Sequence, residues 1–147
     1  MSQAPDPHNL QRFLDAQEPI YATVVAELRA GHKQSHWMWF IFPQLAGLGT
    51  SSMAQRYAIQ SLNEARAFLA HPILGARLRE CAELVLAVND RTINEILGAP
   101  DDMKLCSCAT LFAAVDGERS VFEWLLAKYY DGAEDERTLA LIESPER

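Results

Sequence analysis

Six large apolar side chains in succession, Trp37 to Phe42, stand inside the decapeptide Ser35-His36-Trp37-Met38-Trp39-Phe40-Ile41-Phe42-Pro43-Gln44. A buried aromatic withdraws roughly 150–250 Å² from water, so any fold of this chain must supply a cover for Trp37, Trp39, Phe40 and Phe42. Adjacent large residues point all round a helix, so they cannot all face one core, and some are left to line a cleft.

The cover the sequence offers is helical. Leu74, Leu78, Cys81, Ala82, Val85 and Leu86 describe one face of a helix, with Pro72 in its first turn and Arg79 and Glu83 spaced to pair on the wet side. Leu10, Phe13 and Leu14 begin a short helix; after Pro19, Tyr21, Val24, Val25 and Leu28 mark a second that ends at Gly31. Residues 32–51 read as an irregular aromatic segment containing one short helix, kept irregular by Pro43, Gly47 and Gly49. Ser51 or Ser52 opens a helix to about Tyr57. Ser61 with Glu64, Thr92 with Glu95 and Ser120 with Glu123 have capping-box spacing, the first starting a stretch to Ala70 and the second one that stops at Gly98. Asp101 and Asp102 precede a helix over Met103 to Val115, Phe122 to Tyr129 carry another, and a last spans about Asp135 to Ile142. No convincing period-2 segment or repeat appears, so the expected fold is all-α: a compact multi-helix unit around the irregular segment.

With 147 residues the chain suits one domain, 1–147, in which residues 1–7, with Pro5 and Pro7, are expected to fray. Its 49% hydrophobic and 22% charged residues argue against disorder elsewhere. Thirteen Lys and Arg against 20 Asp and Glu give a net charge of −7, with the basic residues scattered. That disfavours nucleic-acid binding, which needs clustered cations to displace counterions, although a local pocket holding one phosphate remains compatible. Cys81, Cys106 and Cys108 form an odd, sparse set without a secretory signal pattern, so a reducing cytoplasm and no disulfide are expected. The run from Trp37 to Phe42 is far short of the ~20 apolar residues of a membrane-spanning helix.

Several residues carry possible chemistry. His36 is a candidate acid or base, because imidazole titrates near neutrality; the alternative is a structural histidine bonded to backbone. Asp101, Asp102 and Lys104 offer two carboxylates and an ammonium group beside Cys106, Ser107, Cys108 and Thr110. They read either as a ligand-contacting cluster in which Lys104 holds an anion, or as helix capping with solvated charge. No metal is expected: Gly31 and the residues after it do not look like a helix that would align His32 with His36, and Cys106 and Cys108 lack zinc-knuckle spacing. No cofactor is implied either, since Gly47 and Gly49 lack the strand and lysine of a phosphate-binding loop.

The decapeptide at 35–44, Tyr57-Ala58-Ile59 followed by Glu64-Ala65, His71-Pro72 with Leu74-Gly75, and Asp101-Asp102-Met103-Lys104 leading to Thr110-Leu111-Phe112 together resemble a bacterial family of unknown function, over about residues 9–142. The resemblance implies a compact, mainly helical protein. Some members carry the label calpastatin, a protease inhibitor, but a folded chain rich in packed aromatics is unlike a disordered inhibitor. Where the family usually has two serines before Thr-Leu-Phe, this chain has Cys106, Ser107, Cys108 and Ala109, which weakens any role resting on hydroxyls there. Phe68 to Gly75, Ile96 to Asp102 and the apolar helix after them are similar in rhythm to helical N-glycosidases acting on ADP-ribosyl or ribosylamino compounds.

The resulting expectation is a cytoplasmic protein with a small-molecule pocket lined by His36, Trp37, Trp39, Gln44 and Lys104. An enzyme of the N-glycosidase kind would use His36 and Asp101 as acid or base. An interaction module would instead present the aromatic segment as an exposed patch to a partner protein of unspecified identity.

Overall fold

The computed structural model describes residues 5–117 and 119–143, which form ten helices and no strand. They are α1 (Gln11–Gln17), α2 (Tyr21–Arg29), α3 (Met38–Ile41), α4 (Ser52–Arg56), α5 (Leu62–Ala70), α6 (Leu74–Leu86), α7 (Ile93–Leu97), α8 (Asp101–Asp116), α9 (Val121–Tyr129) and α10 (Glu136–Ile142). The all-α architecture is as the spacing predicts. Residues 1–4, where most of the expected fraying falls, lie outside the described residues. Asp6, also within that stretch, is tied down: its carboxylate accepts the backbone N–H groups of Leu10 at 2.7 Å and Gln11 at 3.0 Å, satisfying donors at the start of α1.

α8 is the axis of the molecule. Nine consecutive residues, Leu105 to Ala113, are buried, and α5, α7, α9 and α10 pack around them. A helix enclosed on all sides has no wet face for polar side chains, so those it carries must find partners within the fold. Ser107 Oγ lies 3.4 Å from the Met103 carbonyl, and Thr110 Oγ1 donates to the Cys106 carbonyl at 2.8 Å. Thr110 also accepts the Asp135 backbone N–H at 2.9 Å, fastening the start of α10 to α8. The segment that carries Cys106, Ser107, Cys108 and Thr110 is therefore core.

α6 buries the expected stripe, with Leu74, Leu78, Cys81, Ala82 and Val85 inward, and packs against α2, α5 and α9. His71 takes the capping role: its Nδ1 accepts the N–H groups of Ile73 at 3.1 Å and Leu74 at 3.2 Å and its carbonyl the Gly75 N–H at 2.9 Å, so Pro72, directly after it, stands in the opening turn as the sequence reading has it. One detail differs from that reading. Arg79 makes no salt bridge to Glu83 among the described residues; it forks onto Asp116 at the end of α8, with contacts of 2.7 and 3.0 Å, a two-pronged, charge-assisted pair. At Gly75 a Cβ atom would stand 2.0 Å from the Leu69 carbonyl oxygen, so α6 begins in backbone contact with α5.

The Thr92–Glu95 capping box forms in full. At Ser61 and Ser120 the hydroxyl half forms, while the glutamate reaches one residue further back: Glu64 accepts the Gln60 N–H at 3.0 Å and Glu123 the Arg119 N–H at 2.7 Å. Glu64 is also claimed by Arg12 at 2.8 Å. That guanidinium further donates to the carbonyls of Arg56, Ala58, His8 and Asn9, locking α1 to the chain between α4 and α5.

Candidate functional site

The aromatic segment is positioned from α2. After α2, Gly31 takes φ +71°, its N–H bonds to the Leu28 carbonyl at 3.0 Å, and His32 N–H bonds to the Glu27 carbonyl at 3.0 Å. This paired closure turns the chain back past its own last helical turn. The Glu27 carboxylate then receives the returning loop through four hydrogen bonds: Gln34 N–H at 2.8 Å, Ser35 N–H at 3.0 Å, Ser35 Oγ at 2.6 Å and the Trp37 indole N–H at 2.9 Å. Partial burial acts to raise the Glu27 pKa, yet these donors outweigh it and hold the carboxyl at about 2.

The aromatic side chains then diverge. Trp37 is fully buried and packs 6.3 Å from Phe42, ring centre to ring centre. Phe40 faces Tyr57 at 5.5 Å, and its carbonyl accepts Gln17 Nε2 at 2.8 Å. Trp39 alone of the four is only half-buried, beneath the Lys104 ammonium 5.5 Å from its ring centre. Past Pro43 the chain makes a lone parallel bridge with the segment after α4: Ala46 N–H donates to the Ile59 carbonyl at 2.8 Å, and Ile59 N–H to the Gln44 carbonyl at 2.9 Å.

Between these limbs lies a hollow of about 240 Å³. Met38 and Trp39 from α3, Phe42, Gln44 and Leu45 from the return, Gln55, Tyr57 and Gln60 from the α4 side, and Lys104 from α8 line it. Its wall thus combines aromatic and aliphatic surface with amides and one ammonium group. No carboxylate or imidazole belongs to it among the described residues. The Gln44 side chain has no hydrogen bond to them, and the nearest anionic partner of Lys104 is Asp101 at 3.7 Å, beyond hydrogen-bonding distance.

Of the residues singled out in the sequence, Trp39, Gln44 and Lys104 converge on the hollow. Trp37 does not, because its N–H is drawn to Glu27 and its rings to the core. His36 is exposed beside the loop and outside the hollow. Asp101 lies behind the wall, where Lys33 Nζ meets it at 2.9 Å; Lys33 also donates to the Ser35 carbonyl at 2.6 Å and lies 5.0 Å from the centre of the Trp37 ring. The thiols supply no nucleophile: burial pushes Cys81 up to about 12 and Cys106 up to about 11, and raises Cys108 well above its ordinary value.

Residues 7–142 match the family described as protein of unknown function DUF1810. The chain belongs to the DUF1810 family. The conserved hypothetical protein Rv1873 from Mycobacterium tuberculosis, known from a crystal structure, is 58% identical to it. The two superpose with a TM-score of 0.92, covering 95% of this chain and 99% of that one. No curated protein matches.

Sequence reasoning missed several residues that build the site in this DUF1810 protein: Glu27, Lys33, Tyr57, Gln55 and Gln60. Glu27 left a usable signal, since a carboxylate in the last turn before a helix-ending glycine faces whatever the turn brings back. Lys33 left none, because its partner Asp101 is remote in sequence.

Proposed function

We propose that this DUF1810 protein binds a small molecule in the hollow bounded by Trp39, Gln44 and Lys104. One observation carries the reading: an amide and an ammonium group that lack hydrogen-bond partners among the described residues both line a concavity walled by aromatic and aliphatic side chains. Ligand sites are concave and largely apolar, with a few convergent polar groups that orient the guest. At about 240 Å³ the hollow suits a compact metabolite. A cytoplasmic setting fits the three buried, unpaired thiols.

The enzyme and interaction-module readings have no comparable observation in their favour. His36 and Asp101 stand outside the hollow, and Trp37 is enclosed, which leaves a shared aromatic patch without one of its two tryptophans. The reading is tested by a thermal-shift screen against a metabolite panel, since a ligand that binds only the folded chain raises its apparent stability. A shift expected in the wild type and absent in Trp39→Ala supports the site; shifts that persist in both Trp39→Ala and Gln44→Ala refute it.

A further inference from the structure

We infer that the hollow selects an oxyanion carried on a flat apolar body, and that Lys33 sets this preference by keeping Asp101 away from Lys104; the inference rests on the hollow being a ligand site. Charge balance decides the preference. Asp101 is the only carboxylate paired with either lysine among the described residues, and the two ammonium groups compete for it. Lys33 takes it at 2.9 Å, with a side chain only 8% exposed and further fixed by the Ser35 carbonyl at 2.6 Å. Lys104 is left 3.7 Å from the other carboxylate oxygen, with no hydrogen bond for its N–H donors.

One carboxylate is shared between two ammonium groups, and the one left with the longer contact and no hydrogen bond is Lys104, whose nitrogen borders the hollow. No other charged group lines that wall among the described residues, whereas the chain as a whole carries −7. The hollow is thus a local reversal of the molecule's field, and an entering oxyanion would gain charge-assisted hydrogen bonds that Lys104 lacks in the free protein. Gln44 and Gln60 add neutral donors, and Trp39 with Tyr57 supplies flat apolar surface for the remainder of the guest. A carboxylate and a phosphate monoester share this chemistry. Lys33 touches the hollow only through Asp101 and is a positioning residue.

The test follows the Gln44 side-chain amide and the Trp39 indole N–H by nuclear magnetic resonance in the labelled full chain, titrated separately with benzoate, phenyl phosphate and benzamide. At least one anion is expected to bind about tenfold or more tightly than the neutral amide, and which one identifies the oxyanion. Lys104→Gln should level that difference. Lys33→Met should reduce it by releasing Asp101 to Lys104, and Asp101→Asn should widen it; a merely structural role for Lys33 would weaken benzamide and benzoate alike, which overturns its part. Benzamide binding as tightly as both anions to the wild type overturns the inference and leaves the ligand site standing, a comparison that needs no variant to fold. If none of the three compounds shifts either resonance, both the inference and the site fail.

Discussion

The indole N–H of Trp37 donates to the Glu27 carboxylate at 2.9 Å, joining the most apolar stretch of the chain to the last turn of α2. Without that acceptor the indole would bury an unpaired donor, and without the indole the carboxylate would lose one of the four donors that keep it ionised. The pair explains why a tryptophan beside an exposed histidine turns inward. The loop's geometry is therefore set by an acid one helical turn upstream.

Acid stability should report this directly. The Glu27 carboxyl lies at about 2 in the folded protein, against an ordinary 4.5, so its ionised form is favoured by folding. The stabilisation is fully present above about 4.5 and is lost as the pH falls through about 2. Because the side chain is partly exposed, the contribution is on the order of 2 kcal/mol. Urea denaturation of Glu27→Gln should show a loss of that size near neutrality, with a flatter pH dependence across the window than in the wild type. Equal slopes in the two proteins would remove the assignment.

The two tryptophans of the segment should separate stability from binding. Trp37→Ala empties a fully buried site and is expected to cost about 3–5 kcal/mol in denaturant titrations. Trp39 is half-buried at the edge of the hollow, so Trp39→Ala should cost about 1 kcal/mol and act mainly on ligand binding. Comparable losses of stability at both positions would mean that Trp39 is as much a core residue as Trp37.

These residues also show where the sequence is readable. Thr92, Ser61 and Ser120 cap the helices that their spacing predicts, because a cap is settled within a few residues of chain. What the sequence does not disclose is decided between distant residues. Arg79 chooses Asp116 over its helical neighbour Glu83, and Leu45 bridges Ile59 inside an otherwise helical protein. The same holds at the site: Trp39, Gln44 and Lys104 can be chosen by residue type, but Trp37 and His36 are equally eligible on that basis. Only Glu27 and the packing of Phe42 send Trp37 inward and leave His36 outside. α8 is legible as a helix but not as the axis, since its small residues, cysteines and hydroxyls do not mark one apolar face.

Gly75 should be intolerant of any side chain. A Cβ there would stand 2.0 Å from the Leu69 carbonyl oxygen, and that neighbour is backbone, so relief requires α5 and α6 to move apart. Helix propensity alone favours alanine by about 1 kcal/mol. The clash is expected to outweigh it, giving a net destabilisation of Gly75→Ala of about 2 kcal/mol or more in thermal or chemical unfolding. A neutral or stabilised variant would show that the two helices do not meet so closely.

The ion pair between Arg12 and Glu64 offers a test of how α1 is held. Glu64 is 2% exposed, and the Arg12 guanidinium spends its donors on that carboxylate and on four backbone carbonyls. Removing the arginine leaves a buried carboxylate without its counter-ion and takes the side-chain donor from the carbonyls of His8, Arg56 and Ala58, while Asn9 keeps the backbone N–H of residue 12 at 3.3 Å; Glu64→Gln removes the charge but keeps an acceptor of similar shape. Arg12→Leu should therefore cost about 3–5 kcal/mol, and Glu64→Gln about half as much. In the double variant the neutral amide removes the stranded charge, so the combined loss should fall short of the sum by about 1 kcal/mol or more. Strict additivity in a double-mutant cycle would mean that the carbonyl contacts, and not the ion pair, fasten α1.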